Sequence, residues 1–204
     1  MDVWQPRPEH GQEEFRNEGH TGRVTGLTHS LDSLVAQGGL YVIAVVALAV
    51  WWLMPRPEKV AVAVEVVVGL VAVALLVKLA GALHDDPRPF VVNPGAHPWF
   101  SHPADNGFPS DHTAVGSVTA LVVLRHRRAA GAGLLLLAVL VGAARVLAHV
   151  HHVEDILAGL LIGLVAAAGG VLAWGLLRHT AWAQRARGGR AAPETASQGS
   201  DVAQ

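Results

Sequence analysis

Four stretches of almost unbroken aliphatic sequence, residues 40–54, 60–83, 133–147 and 156–177, constrain this chain more than any other feature. A helix needs about 20 apolar residues to cross the ~30 Å hydrocarbon core of a bilayer. Inside that core every backbone N–H and C=O must find its partner within the protein, which leaves helices and closed barrels as the spanning forms. The run 40–54 reaches spanning length when extended back towards Ser33, and a fifth run, 113–124, started by Ser110, is short unless its neighbours shelter it. With 51% apolar and only 15% charged residues among 204, the expected fold class is all-α, a polytopic membrane helical bundle.

About five transmembrane helices are expected, with an interfacial helix over residues 24–37, where Val24, Leu27, Leu31, Leu34 and Val35 fall on one face. Six spans is the alternative, should that helix insert. Residues 1–23 are polar and read as a flexible segment, 24–178 as one membrane domain, and 179–204 as a tail first basic and then disordered. Nine of the fifteen Lys and Arg residues (Arg56, Lys59, Arg125, Arg127, Arg128, Arg178, Arg185, Arg187 and Arg190) fall on one side of the alternating spans. The positive-inside rule makes that side the cytoplasm, so the loop 84–109, the bend near His151 and the N-terminus face outward. Cysteine is absent, which excludes disulfides, thiolate nucleophiles and sulfur-ligated metal. No basic stripe with interleaved aromatics suggests nucleic acid.

The polar residues concentrate at the outward end. Seven of the twelve histidines (His84, His97, His102, His112, His149, His151 and His152) lie there. His151 and Asp155 are four residues apart, so on a helix the carboxylate can orient the ring. Arg145 lies six residues earlier, roughly 240° round an unbroken helix, and meets His151 only if the helix breaks near 148–150. Pro87 and Pro89 hold Arg88 in extended backbone. Ser110 is a suitable N-cap for a helix whose free N–H groups favour an anion, with His112 in its first turn. Two arginines, a serine at a helix N-terminus and two histidines together suit a phosphoryl group, which is held by planar donors and attacked in line. A metal or proton carrier built from the histidines is the competing class, and Arg88 and Arg145 oppose it by repelling a cation.

Arg88-Pro89, then Pro109-Ser110-Asp111-His112, then Arg145, His151 and Asp155 at their spacing resemble the three-part signature of the type-2 phosphatidic acid phosphatase superfamily. Within it the chain is most similar to the bacitracin-resistance-type undecaprenyl pyrophosphate phosphatases, through the Pro-Arg-Pro-Phe-Val and Phe-Pro-Ser-Asp-His-Thr runs. The resemblance implies a phosphatidic acid phosphatase type 2/haloperoxidase-like core with no metal and no cofactor. It implies that His151 attacks phosphorus to give a phosphohistidine and that Asp155 orients it. His112 then serves the leaving oxygen and water, while Arg88, Ser110 and Arg145 hold phosphate. The implied activity is hydrolysis of undecaprenyl pyrophosphate at a bacterial plasma membrane for lipid-carrier recycling; phosphatidate and phosphatidylglycerol phosphate are alternative substrates.

Three positions depart from the signature. Gly81 stands where a Lys is usual, with Lys78 one turn deeper as a candidate phosphate ligand; Ala144 replaces a Ser, and His149 a Gly. Elsewhere, Glu65 reads as snorkelling, Trp51, Trp52 and Trp174 as interfacial anchors, and His97, His102 and Asp105 as loop solvation in preference to contact with a distal phosphate. Gly69, Gly116, Gly142, Gly159 and Gly163 read as points of close helix approach.

Overall fold

The computed structural model describes residues 33–179, so the N-terminal segment, most of the 24–37 helix and nearly all of the tail lie outside it. Among the described residues there are six helices and no strand: α1 (Ser33–Leu53), α2 (Arg56–Leu83), the single turn α3 (Pro89–Val92), α4 (Asp111–His126), α5 (Arg128–Leu147) and α6 (Val153–Leu177). Four are long and apolar enough to cross a membrane, α1, α2, α5 and α6, at 21, 28, 20 and 25 residues. Residues 33–37 belong to the first span rather than to a separate interfacial helix. The helix continues through Gln37, Gly38 and Gly39 without a break, since extending an existing helix costs far less than starting one.

α4 stands at the centre, packed against α2, α5 and α6. Its 16 residues rise about 24 Å, less than the hydrocarbon thickness. Its neighbours cover it: Ala114, Val118, Ala120, Val122 and Val123 are all buried. The opposite end of α4 is closed by charge. Glu65, nine residues into α2, is fully buried and accepts from Arg125 Nε at 3.4 Å and His126 Nε2 at 2.9 Å, while Arg127 pairs with Glu58 at 2.8 Å. Glu65 therefore does not snorkel. It reaches the two basic residues at the C-terminus of α4, where the helix dipole also favours cations, and sequence spacing could not show that neighbour.

Trp174 is likewise corrected from boundary anchor to core, being 8% exposed. Trp51 and Trp52 lie beside Lys59, whose ammonium is 5.7 and 5.1 Å from their rings.

α4 and α6 approach closely because α6 carries glycines where they meet. A Cβ on Gly159 would lie 2.7 Å from the Ser110 carbonyl oxygen, and one on Gly163 would collide with the Ser117 hydroxyl. Gly69, Gly116 and Gly142 also face neighbouring side chains at less than ordinary contact distance. Next to Gly159, the Ser110 N–H donates to the Asp155 carbonyl at 3.1 Å, fixing the starts of α4 and α6 side by side. Packing along the helices thus positions the polar end. Gly159→Ala should lower the melting temperature and the activity together, at about 1–3 kcal/mol for overpacking. Gly169→Ala, which meets nothing within 4 Å, should be neutral or stabilising; equal effects from the two would refute the close-approach account.

Candidate active site

The turn between α5 and α6 decides whether Arg145 and His151 can meet. α5 ends at Leu147; the His149 N–H donates to Val146 O at 3.0 Å and the Val150 N–H to Arg145 O at 3.2 Å. This pair of bonds, with His149 at φ 59°, is a Schellman ending. Val150 is fully buried beneath it. The chain reverses in three residues and brings the imidazole at 151 to the arginine's end of the bundle. His149 takes the left-handed conformation that usually selects glycine, and its ring is placed against Trp99 and the His97 carbonyl.

His151 is 3% exposed and Asp155 is fully buried. His151 Nδ1 lies 3.1 Å from Asp155 Oδ2, which also accepts the His152 N–H at 2.8 Å. A carboxylate can only accept, so Nδ1 carries the ring proton and Nε2 keeps its lone pair. That Nε2 faces Arg88 Nη1 at 3.4 Å. Burial pushes the His151 pKa below its ordinary 6.5; the bond to Asp155 opposes that shift, and Arg145 and Arg88 add to it. The ring is therefore neutral at neutral pH, as a nucleophile must be.

Arg88 is 5% exposed and donates through Nη1 to Val150 O at 2.7 Å and through Nε to Asp105 Oδ1 at 2.8 Å. Arg145 is 3% exposed, with Nη1 donating to Ala36 O on α1 at 3.1 Å and Nη2 to His102 Nε2 at 3.0 Å. Its Nε, buried, has no partner among the described residues. A buried donor without an acceptor is costly, and a phosphate oxygen would supply one. Ser110 is fully buried at the N-cap position of α4, yet its side chain makes no cap bond; its Oγ accepts from Thr113 Oγ1 at 3.1 Å, which leaves its own proton to donate. The capping expectation for Ser110 is thereby corrected. His112 sits in the first turn of α4, within the fields of Arg145, His151, His102 and Arg88.

The sequence-derived residues 88, 110, 112, 145, 151 and 155 thus gather at one end of the bundle. Lys78 does not join them; it is exposed on α2 and makes no hydrogen bond or ion pair among the described residues. His102 and Asp105 are also corrected, because instead of solvating the loop they rest on the two guanidiniums.

Asn106 gave no signal in the sequence, although all of its amide valences are used. Oδ1 accepts from Asp86 N and Phe108 N at 3.0 and 2.9 Å, and Nδ2 donates to Gly81 O and His84 O at 3.0 and 2.9 Å. The amide fastens the loop to the end of α2, and His152 Nδ1 adds a bond to Asp86 Oδ2 at 2.9 Å. Asp86, His152 and Glu154 also offer ligand atoms within 4.8 Å of one another, with Glu154 exposed.

A family model described as the PAP2 superfamily matches residues 62–179. The bacitracin transport permease protein BcrC of Bacillus licheniformis is 31% identical over 154 residues, 75% of this chain and 75% of that protein. The undecaprenyl-diphosphatase BcrC of Bacillus subtilis is 26% identical over 148 residues, covering 70% of this chain and 76% of that protein. The crystal structure of Aquifex aeolicus LpxE superposes with a TM-score of 0.61 at 25% identity, over 72% of this chain and 86% of that one.

Two outcomes follow from this geometry. The acid limb of kcat/KM, which reports the free enzyme, should have its midpoint below 6.5. Because the Asp155 bond raises the His151 pKa, Asp155→Asn should move that limb further down while lowering kcat/KM about 10²–10⁴-fold; an upward move would contradict the assigned tautomer. In thermal unfolding, His149→Val should cost about 1–2 kcal/mol and His149→Gly little or nothing.

Proposed function

The chain belongs to the PAP2 superfamily of membrane phosphatases, and on that footing we propose that it hydrolyses undecaprenyl pyrophosphate to undecaprenyl phosphate and inorganic phosphate. The observation that carries the reaction class is the lone pair of His151 Nε2 facing the Arg88 guanidinium, with the unpartnered Nε of Arg145 at the same end of the bundle. A phosphate held by those two side chains and the Ser110 hydroxyl presents its phosphorus to Nε2. Attack forms the N–P bond as the bond to the bridging oxygen breaks, and His112 gives its proton to the departing lipid phosphate. Water then attacks the phosphohistidine, His112 takes the proton from that water, and inorganic phosphate leaves with His151 restored. Asp155 holds the ring throughout.

The choice of lipid rests on the relatives whose names carry undecaprenyl-diphosphatase and bacitracin. A phosphate cage by itself is indifferent to the leaving group, so phosphatidate or phosphatidylglycerol phosphate remains the alternative substrate. The membrane domain is residues 24–178, in a bacterial plasma membrane, with the active site extracytoplasmic. The distribution of Lys and Arg supports that orientation, and on that side a lipid carrier would be released after delivering its cargo.

Purified full-length protein should release phosphate from undecaprenyl pyrophosphate faster than from the other two lipids. His151→Ala should lower the rate about 10⁴-fold or more. Quenching the wild type during turnover should trap phosphate on the chain in a form that acid cleaves and base preserves. Near-normal turnover by the Ala variant would reject the mechanism, and faster release from phosphatidate would reject the lipid.

A further inference from the structure

We propose that His102 is the specificity-determining residue that distinguishes a diphosphate headgroup from a monophosphate at this site. The inference rests on the phosphatase reading above and deepens it, since nothing in the three-part signature includes this loop residue.

The tautomer of His102 is set by its neighbours. Nδ1 lies 3.3 Å from the Pro103 carbonyl, which can only accept, so the ring proton is there. Nε2 therefore offers a lone pair, and Arg145 Nη2 donates to it at 3.0 Å. Beside it, the Nε of Arg145 is buried without a partner. A diphosphate that takes this edge, with the attacked phosphate at Nε and the second at Nη2, places an oxygen of the second phosphate where the His102 lone pair now lies. A neutral ring then opposes the oxygen, lone pair against lone pair; a protonated ring donates to it. His102 is half-buried in the loop, so solvent can deliver that proton.

Position and charge both point to the second phosphate. The His102 and His151 rings stand 6.3 Å apart at 76°, with the Arg145 guanidinium reaching His102. A phosphate under attack belongs at His151 Nε2, Arg88 and Arg145 Nε, so the next phosphate along the headgroup extends towards His102 and Arg145 Nη2. His112, which serves the departing oxygen, lies within the field of His102. Two guanidiniums match the charge of a monophosphate, but Asp105, held ionised by its bond to Arg88, already offsets part of theirs. A diphosphate carries more negative charge and calls for another cation. Burial, opposed by the Pro103 bond and reinforced by Arg88 and Arg145, keeps the His102 pKa below 6.5, so the ring takes its proton when that charge arrives.

The test compares inorganic phosphate with methylenediphosphonate, a diphosphate analogue without a hydrolysable bridge, as competitive inhibitors of the full-length enzyme in detergent. It uses whichever lipid phosphate the wild type turns over. The wild type should bind the diphosphonate more tightly than phosphate. His102→Ala and His102→Asn should each weaken the diphosphonate about tenfold or more, the loss expected of one charge-assisted hydrogen bond, and weaken phosphate less than about threefold. His102→Lys should recover part of the preference. Equal weakening of both inhibitors, weakening of neither, or a wild type without preference overturns the proposal. The Asn variant, checked by its melting temperature, decides the matter if the Ala variant fails to fold. A wild type that hydrolyses only monophosphate lipids defeats the undecaprenyl pyrophosphate reading, while the inhibitor ratios still report separately on His102.

Discussion

The polar end of this bundle depends on the fully buried carboxylate of Asp155. One oxygen, Oδ2, accepts from the His151 ring and from the first amide of the α6 cap, while the backbone carbonyl of the same residue accepts the Ser110 N–H at the start of α4. Ring orientation, helix start and helix-to-helix register thus pass through a single residue. A buried carboxylate is unfavourable unless it is bonded in this way, so the arrangement is strongly cooperative: loss of one partner leaves the charge exposed to a medium that cannot solvate it.

Around that carboxylate the protein collects positive charge in a place poor in water. Arg88 and Arg145 are both almost fully buried, and each is partly satisfied by a backbone carbonyl, Val150 O for one and Ala36 O for the other. The two carbonyls come from the reversing turn and from α1, so helices with no polar function of their own complete the site. Membership in the PAP2 superfamily gives the reaction class; the burial explains why these guanidiniums can grip an anion that water would otherwise compete for.

The spans and the six gathered residues were legible in the sequence because each leaves a local trace. Apolar runs mark α1, α2, α5 and α6, and the spacing from Arg145 through His151 to Asp155 demanded the break that the Schellman turn provides. What escaped were contacts between residues far apart in the chain. Glu65 reads as a snorkelling acid in its own stretch of sequence, because Arg125 and His126, its partners, lie 60 and 61 residues away. Asn106 looked like any loop amide, and His102 and Asp105 like solvation, because their partners lie 43 and 17 residues distant. Lys78 shows the converse: one turn from the expected position in sequence, it faces outward on the helix.

The reversing turn also gives the interval between Arg145 and His151 a fixed length. The bond from Val150 N–H back to Arg145 O closes a ring of six residues, with the Arg145 side chain at one end and His151 directly after the other. An extra or missing residue there cannot be absorbed by looping out, because the ring has no slack and its floor, Val150, is sealed in apolar packing. Evolution can therefore exchange the side chains between these two positions, as the histidine at 149 illustrates, but it cannot change how many there are.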